Sequence, residues 1–376
     1  MPDMRAWPQT REQRLGEAID SIGATGLQSR GARGWIGTPM AMRIAAALAA
    51  ALVAQAWFAL ADISAGLPLV REQPARLDAS AWIQTAIAFS VSALFVAALV
   101  AARSRSSPFE RVSTQRSALA VGSAVLLLAL AATLLVVFEP TAFHDAAQED
   151  RALEWVSAGL LFAGAVGLAA AALRHCAGLE RLVAIGLALA LFLLGMEEIS
   201  WMQRVFGFAT PGPLAAANWQ GEFNLHNIQT DLSEFAYYVG AGLFLVVLPL
   251  VGELLSPTLR AHRMASILPG RMVAAVAAPA AIFTYGQWDL FAMQCVTMLT
   301  LAVLAAFAQS ARRRGDRAES LVYLLWLIGV AGGQALMLAY GSALIDVPDP
   351  TEYREFFIAA GFAAYGWTVA RSAWRA

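Results

Sequence analysis

Residues 117–138, SALAVGSAVLLLALAATLLVVF, contain no charged side chain and decide the fold class. A helix of about 20 apolar residues crosses the ~30 Å hydrocarbon layer of a bilayer and satisfies its own backbone hydrogen bonds. The whole chain has the same character, since 59% of its 376 residues are hydrophobic and 14% are charged, with a mean hydropathy of +0.59. Soluble domains are about one quarter charged. The sequence therefore predicts an all-α integral membrane protein.

Nine other apolar runs are long enough to span a bilayer, and we predict a polytopic transmembrane helix bundle of about ten spans. With 117–138 included, the ten runs occupy approximately 41–61, 80–102, 117–138, 155–175, 181–199, 235–254, 267–285, 288–309, 321–343 and 354–371. We expect residues 40–376 to form a single transmembrane domain. Residues 1–39 are polar and lack apolar periodicity, which predicts a mobile cytoplasmic tail.

The first run, beginning MRIAAALAAALVAQA at Met42, also has the charged start and small-residue ending of a signal peptide. Its apolar character continues through Leu60, so we favour a retained helix over a cleaved leader.

The arginines predict the orientation of the bundle. All 26 basic residues are Arg, and with the N-terminus inside nearly all of them lie at cytoplasmic ends, as the positive-inside rule requires. The exceptions are Arg71, Arg76, Arg151, Arg204 and Arg354. We therefore predict a multi-pass protein of the bacterial inner membrane with both termini inside. The basic residues form short membrane-flanking clusters, which gives nucleic-acid binding no support.

The outer connection 198–234 carries the candidate site. Ionisable groups at the edge of a membrane are costly unless they are paired or hydrated, so they mark functional sites by default. We identify Glu197, Glu198, Arg204 and His226 as candidate catalytic residues: a carboxylate or the imidazole as general base, and Arg204 as an anion clamp. If the fifth helix continued through Gln203, Glu197 and Arg204 would share one face.

Polar and aromatic side chains around these groups are candidate substrate-binding residues. A purely structural alternative is open, in which Glu197 pairs with Arg204 or Arg151 and His226 only orders the loop. The aromatic content of the loop is typical of a segment that lies in the interface and contacts lipid. The candidates are Trp201, Gln203, Asn218, Gln220, Glu222, Asn224 and Asn227.

A divalent metal is the possible cofactor. His144, Asp145 and His226 lie in predicted outer connections and offer nitrogen and oxygen ligands suitable for zinc or manganese. The chain has no HExxH, HxxxH or CxxC spacing, so the metal prediction depends on these outer side chains meeting in space.

The segments GMEEISWMQRVFGF and NWQGEFNLHN resemble a signature, G-E-E-x-S-W-x-Q-R followed by N-x-Q-x-E-x-N-L-H-N, of uncharacterised bacterial polytopic membrane proteins. The resemblance covers residues 139–231. It departs from the signature at Met196, where an acidic or small residue is expected, and at Met202, where Gly is expected. The resemblance implies a polytopic membrane protein and carries no activity with it.

Three functions remain open from the sequence. The first is an enzyme, a hydrolase or transferase, acting on a lipid or lipid-linked substrate at the outer leaflet. The second is a transporter, although the middles of the predicted spans hold mainly neutral polar residues such as Gln84, Gln294 and Gln334. The third is a scaffold that docks a periplasmic partner through its acidic outer face.

Overall fold

The computed structural model describes residues 38–102, 109, 112–148, 151–174, 176–218, 220–259, 266–345 and 350–373. The chain divides into two compact units, Met1–Met42 and Arg43–Ala376. Apart from residues 38 and 39, which begin the first helix, the tail predicted for residues 1–39 lies outside the described residues. Apart from the first five residues of α1, the helices and cavities lie in the second unit.

The described residues form helices and connecting loops and contain no strand, as predicted. Short 3-10 turns lie at Ser200–Met202, His226–Ile228, Ala278–Phe283 and Gly341–Leu344, and one π-helical turn lies at Leu243–Val247. The α-helices are α1 Thr38–Ser64, α2 Ala79–Ala102, α3 Arg116–Phe138, α4 Pro140–Ala147, α5 Ala152–Arg174, α6 Leu179–Glu198, α7 Gln203–Phe206, α8 Gly212–Ala217, α9 Thr230–Gly242, α10 Leu248–Leu259, α11 Arg271–Ala277, α12 Phe291–Arg313, α13 Arg317–Tyr340 and α14 Glu352–Ala373.

Eight helical segments in the described ranges are long and apolar enough to cross a membrane, which suggests a membrane protein. Seven of these segments correspond to all or most of α1, α2, α3, α5, α6, α12 and α13, the last together with its 3-10 extension. The eighth is Thr230–Leu254, in which the π-helical turn joins α9 to α10. The other two predicted spans differ. Residues 267–285 contain only the short apolar helix Arg271–Phe283, and residues 354–371 lie in α14, which is not among the eight. Orientation stays a prediction.

Together with the loop 284–290 that follows it, this short helix forms a broken segment, 271–290, that connects the two ends of the bundle. At its start, Arg271 contacts Glu253 at 2.8 Å, near the end of the candidate span Thr230–Leu254, and Glu319 at 3.4 Å, in the first turn of α13. At its far end, Asp289 accepts a hydrogen bond from Arg76 Nε at 2.8 Å, just before α2. Residues 273–290 are all buried. Irregular backbone at membrane depth is tolerated where protein surrounds it, and this segment meets that condition.

The backbones of helices α5 and α14 approach each other closely at glycine residues. A Cβ atom added to Gly366 would lie 2.3 Å from Gly164 O, and one added to Gly167 would lie 2.6 Å from Gly366 O. Small residues allow such an approach between membrane helices. From the sequence, Gly159, Ala163 and Gly167 are expected to allow close approach of helices, either within the chain or at a dimer seam. Gly167 makes such a contact within the chain. No atom lies within 4 Å of a Cβ atom added to Gly159.

Helix α2 begins at an acidic cap outside the spans. Asp78 Oδ1 accepts hydrogen bonds from the backbone N–H of Ala81 and from Ser80 Oγ, both at 2.9 Å. An N-terminal carboxylate satisfies backbone donors that have no partner within the helix. The same two donors favour the ionised form and lower the pKa of Asp78.

Candidate functional site

A cavity of about 940 Å³ lies at the end of the bundle where α5, α9 and α14 begin and α6 and α13 end. His226 is its one imidazole, and no arginine lines it among the residues that the structure describes. Eight of its lining side chains are carboxylates: Glu72, Glu154, Glu198, Glu222, Asp231, Glu234, Glu352 and Glu355. We call this cavity the acidic cavity.

Helix N-termini help to explain why acidic groups collect here. Glu154 lies in the first turn of α5, Asp231 in that of α9, and Glu352 and Glu355 in that of α14. The partial positive charge of a helix N-terminus stabilises a nearby carboxylate. Three helices that begin beside one cavity therefore favour negative charge in it.

A strained turn follows α6, whose last two residues, Glu197 and Glu198, contact different groups. The helix ends at Glu198 rather than continuing through Gln203, and Ser200, Trp201 and Met202 have φ values of 44°, 53° and 63°. Three consecutive left-handed residues other than glycine are unusual, because the Cβ atom crowds the carbonyl oxygen in this conformation. Met202 is also the position at which the resembling signature carries Gly.

Glu197 holds the loop in place. Its Oε1 accepts a hydrogen bond from Trp201 Nε1 at 2.6 Å, and its Oε2 accepts from the backbone N–H groups of Leu225 at 2.6 Å and His226 at 3.2 Å. The Nδ1 atom of His226 lies 3.5 Å from the same oxygen. Glu197 is therefore bound to both ends of the loop, and it orients the imidazole.

Arg204 pairs with Glu222, not with Glu197 as one sequence alternative has it. Ser200 Oγ donates to the other Glu222 oxygen at 2.5 Å, and Asn224 Nδ2 reaches that oxygen at 3.3 Å. Glu222 is buried. A buried carboxylate is stable only when its charge is paired and hydrogen-bonded, and these contacts meet that need.

The amide side chains of the loop form hydrogen bonds within it. Asn218 Nδ2 donates to the carbonyl oxygens of Glu222 and Asn224, both at 3.1 Å. Gln203 donates to Thr210 Oγ1 at 2.8 Å, and Asn227 donates to Gln220. Most of the predicted substrate-binding residues thus bond one another. Within this group, the residues that also line the acidic cavity are Gln220, Glu222, Asn224 and Asn227.

Glu198 belongs to a different cluster. Oxygen atoms of Glu198, Glu352 and Glu355 lie within 4.8 Å of one another, a spacing that suits a metal ion. Among the described residues this is the one such group of three, and it does not include His144, Asp145 or His226. Glu355 also accepts a hydrogen bond from Tyr238 Oη at 2.8 Å.

The loop between α1 and α2 supplies groups that the sequence reasoning missed. Glu72 lines the acidic cavity beside the tight turn of α11 to α12, where a Cβ atom on Gly286 would lie 2.0 Å from its Oε1. Glu234, also unpredicted, accepts from Gln287 Nε2 at 3.0 Å. The absent side chain at Gly286 leaves room for Glu72, a contact that no local sequence pattern indicates.

No family model, curated protein or solved structure matches this chain, so its function is inferred from its own geometry.

Proposed function

We propose that this chain is a bacterial inner-membrane enzyme, a hydrolase or transferase, that acts at the outer leaflet on a lipid or lipid-linked substrate with the help of a divalent cation. The observation that carries the proposal is the acidic cavity, with its cluster of Glu198, Glu352 and Glu355. A pocket of this volume is in the range that holds small organic molecules.

The ligand atoms of the cluster indicate which cation it would take. All three are carboxylate oxygens, the ligands that Mg²⁺, Mn²⁺ and Ca²⁺ prefer, whereas zinc sites use mainly nitrogen and sulfur. Of the two metals considered from the sequence, manganese fits better than zinc. Bound there, the cation would neutralise part of the cavity's charge and hold an anionic head group such as a phosphate.

His226 supplies a group for proton transfer. It lines the acidic cavity, and its Nδ1 lies 3.5 Å from the Glu197 carboxylate. A carboxylate that binds one ring nitrogen fixes the tautomer and leaves the other nitrogen able to accept a proton. Its side chain is 38% exposed, so a water molecule or a substrate hydroxyl can reach it. We assign His226 the role of general base.

The surface of the loop supports a lipid substrate. Phe206 is 74% exposed and Leu225 is 63% exposed, on a loop that borders both the cavity and the ends of the apolar helices. Exposed apolar side chains at such a level are suited to insertion at the boundary between head groups and acyl chains. A substrate with a lipid tail could then present its polar head to the cavity.

Cation binding is tested first, in purified protein stripped of metal and titrated with Mn²⁺ under electron paramagnetic resonance. We expect one tight site in the wild type, loss of that site in Glu355→Gln, and weaker binding at lower pH because protons compete for the carboxylates. Glu139→Gln removes an exposed acid that does not line the cavity and is the matched control. Equal binding by wild type and Glu355→Gln would exclude the cation site.

The reaction is tested by lipid profiling of a deletion strain complemented with wild type, His226→Gln or Glu139→Gln. We expect a lipid species to accumulate in the deletion strain and in the strain carrying His226→Gln, but not in the other two. If the profiles of all four strains agree, the enzymatic proposal is wrong even where the cation binds.

Transport is the second candidate, and one feature favours it. The segment that crosses the bundle between α10 and α12 is broken, with 13 helical residues from Arg271 to Phe283 followed by a buried loop. Carriers often build their binding sites at such discontinuous helices. Cation uptake into proteoliposomes that depends on Glu355, with an unchanged lipid profile, would favour this function over the enzyme.

A further inference from the structure

A second, smaller cavity of about 20 Å³ lies inside the bundle, between the π-helical turn, the broken segment, α12 and α14. Its walls are mainly alanine and other aliphatic side chains. Thr284 and Thr297 also line it; they are 0% and 1% exposed, and their hydroxyl groups have no hydrogen-bond partner in the described chain. By contrast Thr300, on the same wall, donates to Val296 O at 3.0 Å.

Arg354 lies in the first turn of α14, between residues of the acidic cavity in the sequence. It lines the small cavity, while its sequence neighbour Glu355 lines the acidic cavity. The guanidinium group lies 3.9 Å from the centre of the Tyr238 ring and donates to Met293 Sδ at 3.9 Å. Glu72, Glu234 and Glu355 lie near enough to interact with its charge, but none of them forms a direct ion pair with it. A buried charge without a direct partner is stabilised by hydration.

More polar atoms around the broken segment have no partner among the described residues. They include the Tyr285 hydroxyl, Gln287 Oε1 and both amide atoms of Gln294. These three residues are at most 2% exposed. Unsatisfied polar groups are costly in a membrane, where no bulk water compensates them. Because Gln287 also bonds Glu234, which lines the acidic cavity, these polar groups include one that contacts that cavity's wall.

We propose that water fills the small cavity and continues past Arg354 and Gln287 to the acidic cavity. About 10–15 Å³ of such space holds one water molecule, and a buried water needs two to four polar partners. The hydroxyls of Thr284 and Thr297 and the Arg354 guanidinium provide three. The space is too small for an organic ligand, and no carboxylate lines it. The result is a hydrated route for protons from the acidic cavity into the bundle, whichever function the acidic cavity has.

Hydroxyl-radical footprinting of the wild-type protein by X-ray radiolysis tests the proposal, because bound water modifies the side chains beside it. Leu245 lines the small cavity, and Leu304 lines neither cavity; both are 0% exposed. We expect several-fold more modification of Leu245 than of Leu304. Equal protection of the two leucines would overturn the proposal.

The sign of a stability change gives an independent test. Thr297→Val keeps the shape and removes the hydroxyl. If water binds the hydroxyl, the variant loses a hydrogen-bonded partner and its unfolding midpoint should fall. We expect the same direction of change for the reference variant Thr133→Val, because the Thr133 hydroxyl donates to Ala129 O at 2.8 Å. In a dry cavity the same change removes an unsatisfied polar group, so a higher midpoint for Thr297→Val would overturn the proposal.

Discussion

Glu197 accepts a hydrogen bond from the indole N–H of Trp201 at 2.6 Å, across the strained turn that ends α6. This contact, with those to Leu225 and His226, makes Glu197 a positioning residue that holds the loop against the helix end. Its neighbour Glu198 lines the acidic cavity instead. Two adjacent and chemically identical side chains therefore have different tasks, and substitution can separate them.

We predict that Glu197→Gln lowers the free energy of unfolding by about 2 kcal/mol, because hydrogen bonds to a charged group contribute about 1.5–3 kcal/mol and the neutral amide keeps only part of them. Glu198→Gln keeps the loop intact and loses Mn²⁺ binding. Unfolding by SDS in mixed micelles measures the first effect and paramagnetic resonance the second. The assignment is wrong if Glu198→Gln is the less stable variant and Glu197→Gln alone loses the ion.

The left-handed turn predicts a stabilising substitution. Met202 has a φ of 63°, which costs an L-residue about 1–2 kcal/mol relative to glycine, while the greater freedom of glycine in the unfolded chain returns about 0.5–1 kcal/mol. We therefore expect Met202→Gly to raise the free energy of unfolding by roughly 0.5–1 kcal/mol. Met196→Gly, within α6, is the matched control and should lower it by about 1 kcal/mol through helix propensity. A destabilised Met202→Gly protein would show that the turn depends on the Met202 side chain.

The membrane helices could be predicted from the sequence because a bilayer requires each spanning helix to be a long run of uncharged residues. Where a segment is buried in protein the rule no longer applies. Thus the span predicted at 267–285 is a short broken helix, and its non-helical loop is accepted because other helices surround it.

The candidate site was harder to predict, since its composition depends on which helix ends meet. Glu222 and His226 are close in the sequence, so their joint place in one site could be predicted, and both line the cavity. The partners of Glu198 lie more than 150 positions further along, and a pairing of Glu198 with Glu352 has no local pattern. Similarly, Arg204 reaches Glu222 only because the chain turns sharply at Trp201.

The contact between α5 and α14 gives a test of the fold. A methyl group on Gly366 would lie 2.3 Å from Gly164 O, a backbone atom that cannot move aside cheaply. We expect Gly366→Ala to lower the free energy of unfolding by about 1–3 kcal/mol, the usual cost of overpacking. Gly159→Ala has nothing within 4 Å and should raise it by up to about 1 kcal/mol through helix propensity. Effects of the same sign in both variants would contradict this packing.

The buried ion network at the opposite end of the bundle predicts the largest loss of stability. Arg271, with a side chain only 3% exposed, bonds Glu253 at 2.8 Å and the carbonyl oxygen of Phe109 at 2.9 Å, and its guanidinium group lies 4.7 Å from the centre of the Phe307 ring.

Removing one partner of a buried pair leaves an uncompensated charge, which costs about 3–5 kcal/mol. We therefore expect Arg271→Gln to lower the free energy of unfolding by that amount in SDS titrations, whereas Arg312→Gln, at an exposed position on α12, should change it by less than about 0.5 kcal/mol. Because Arg271 begins the segment that ends at the acidic cavity, the loss should also weaken Mn²⁺ binding in the variant. Unchanged stability in Arg271→Gln would mean that this network does not fix the broken segment.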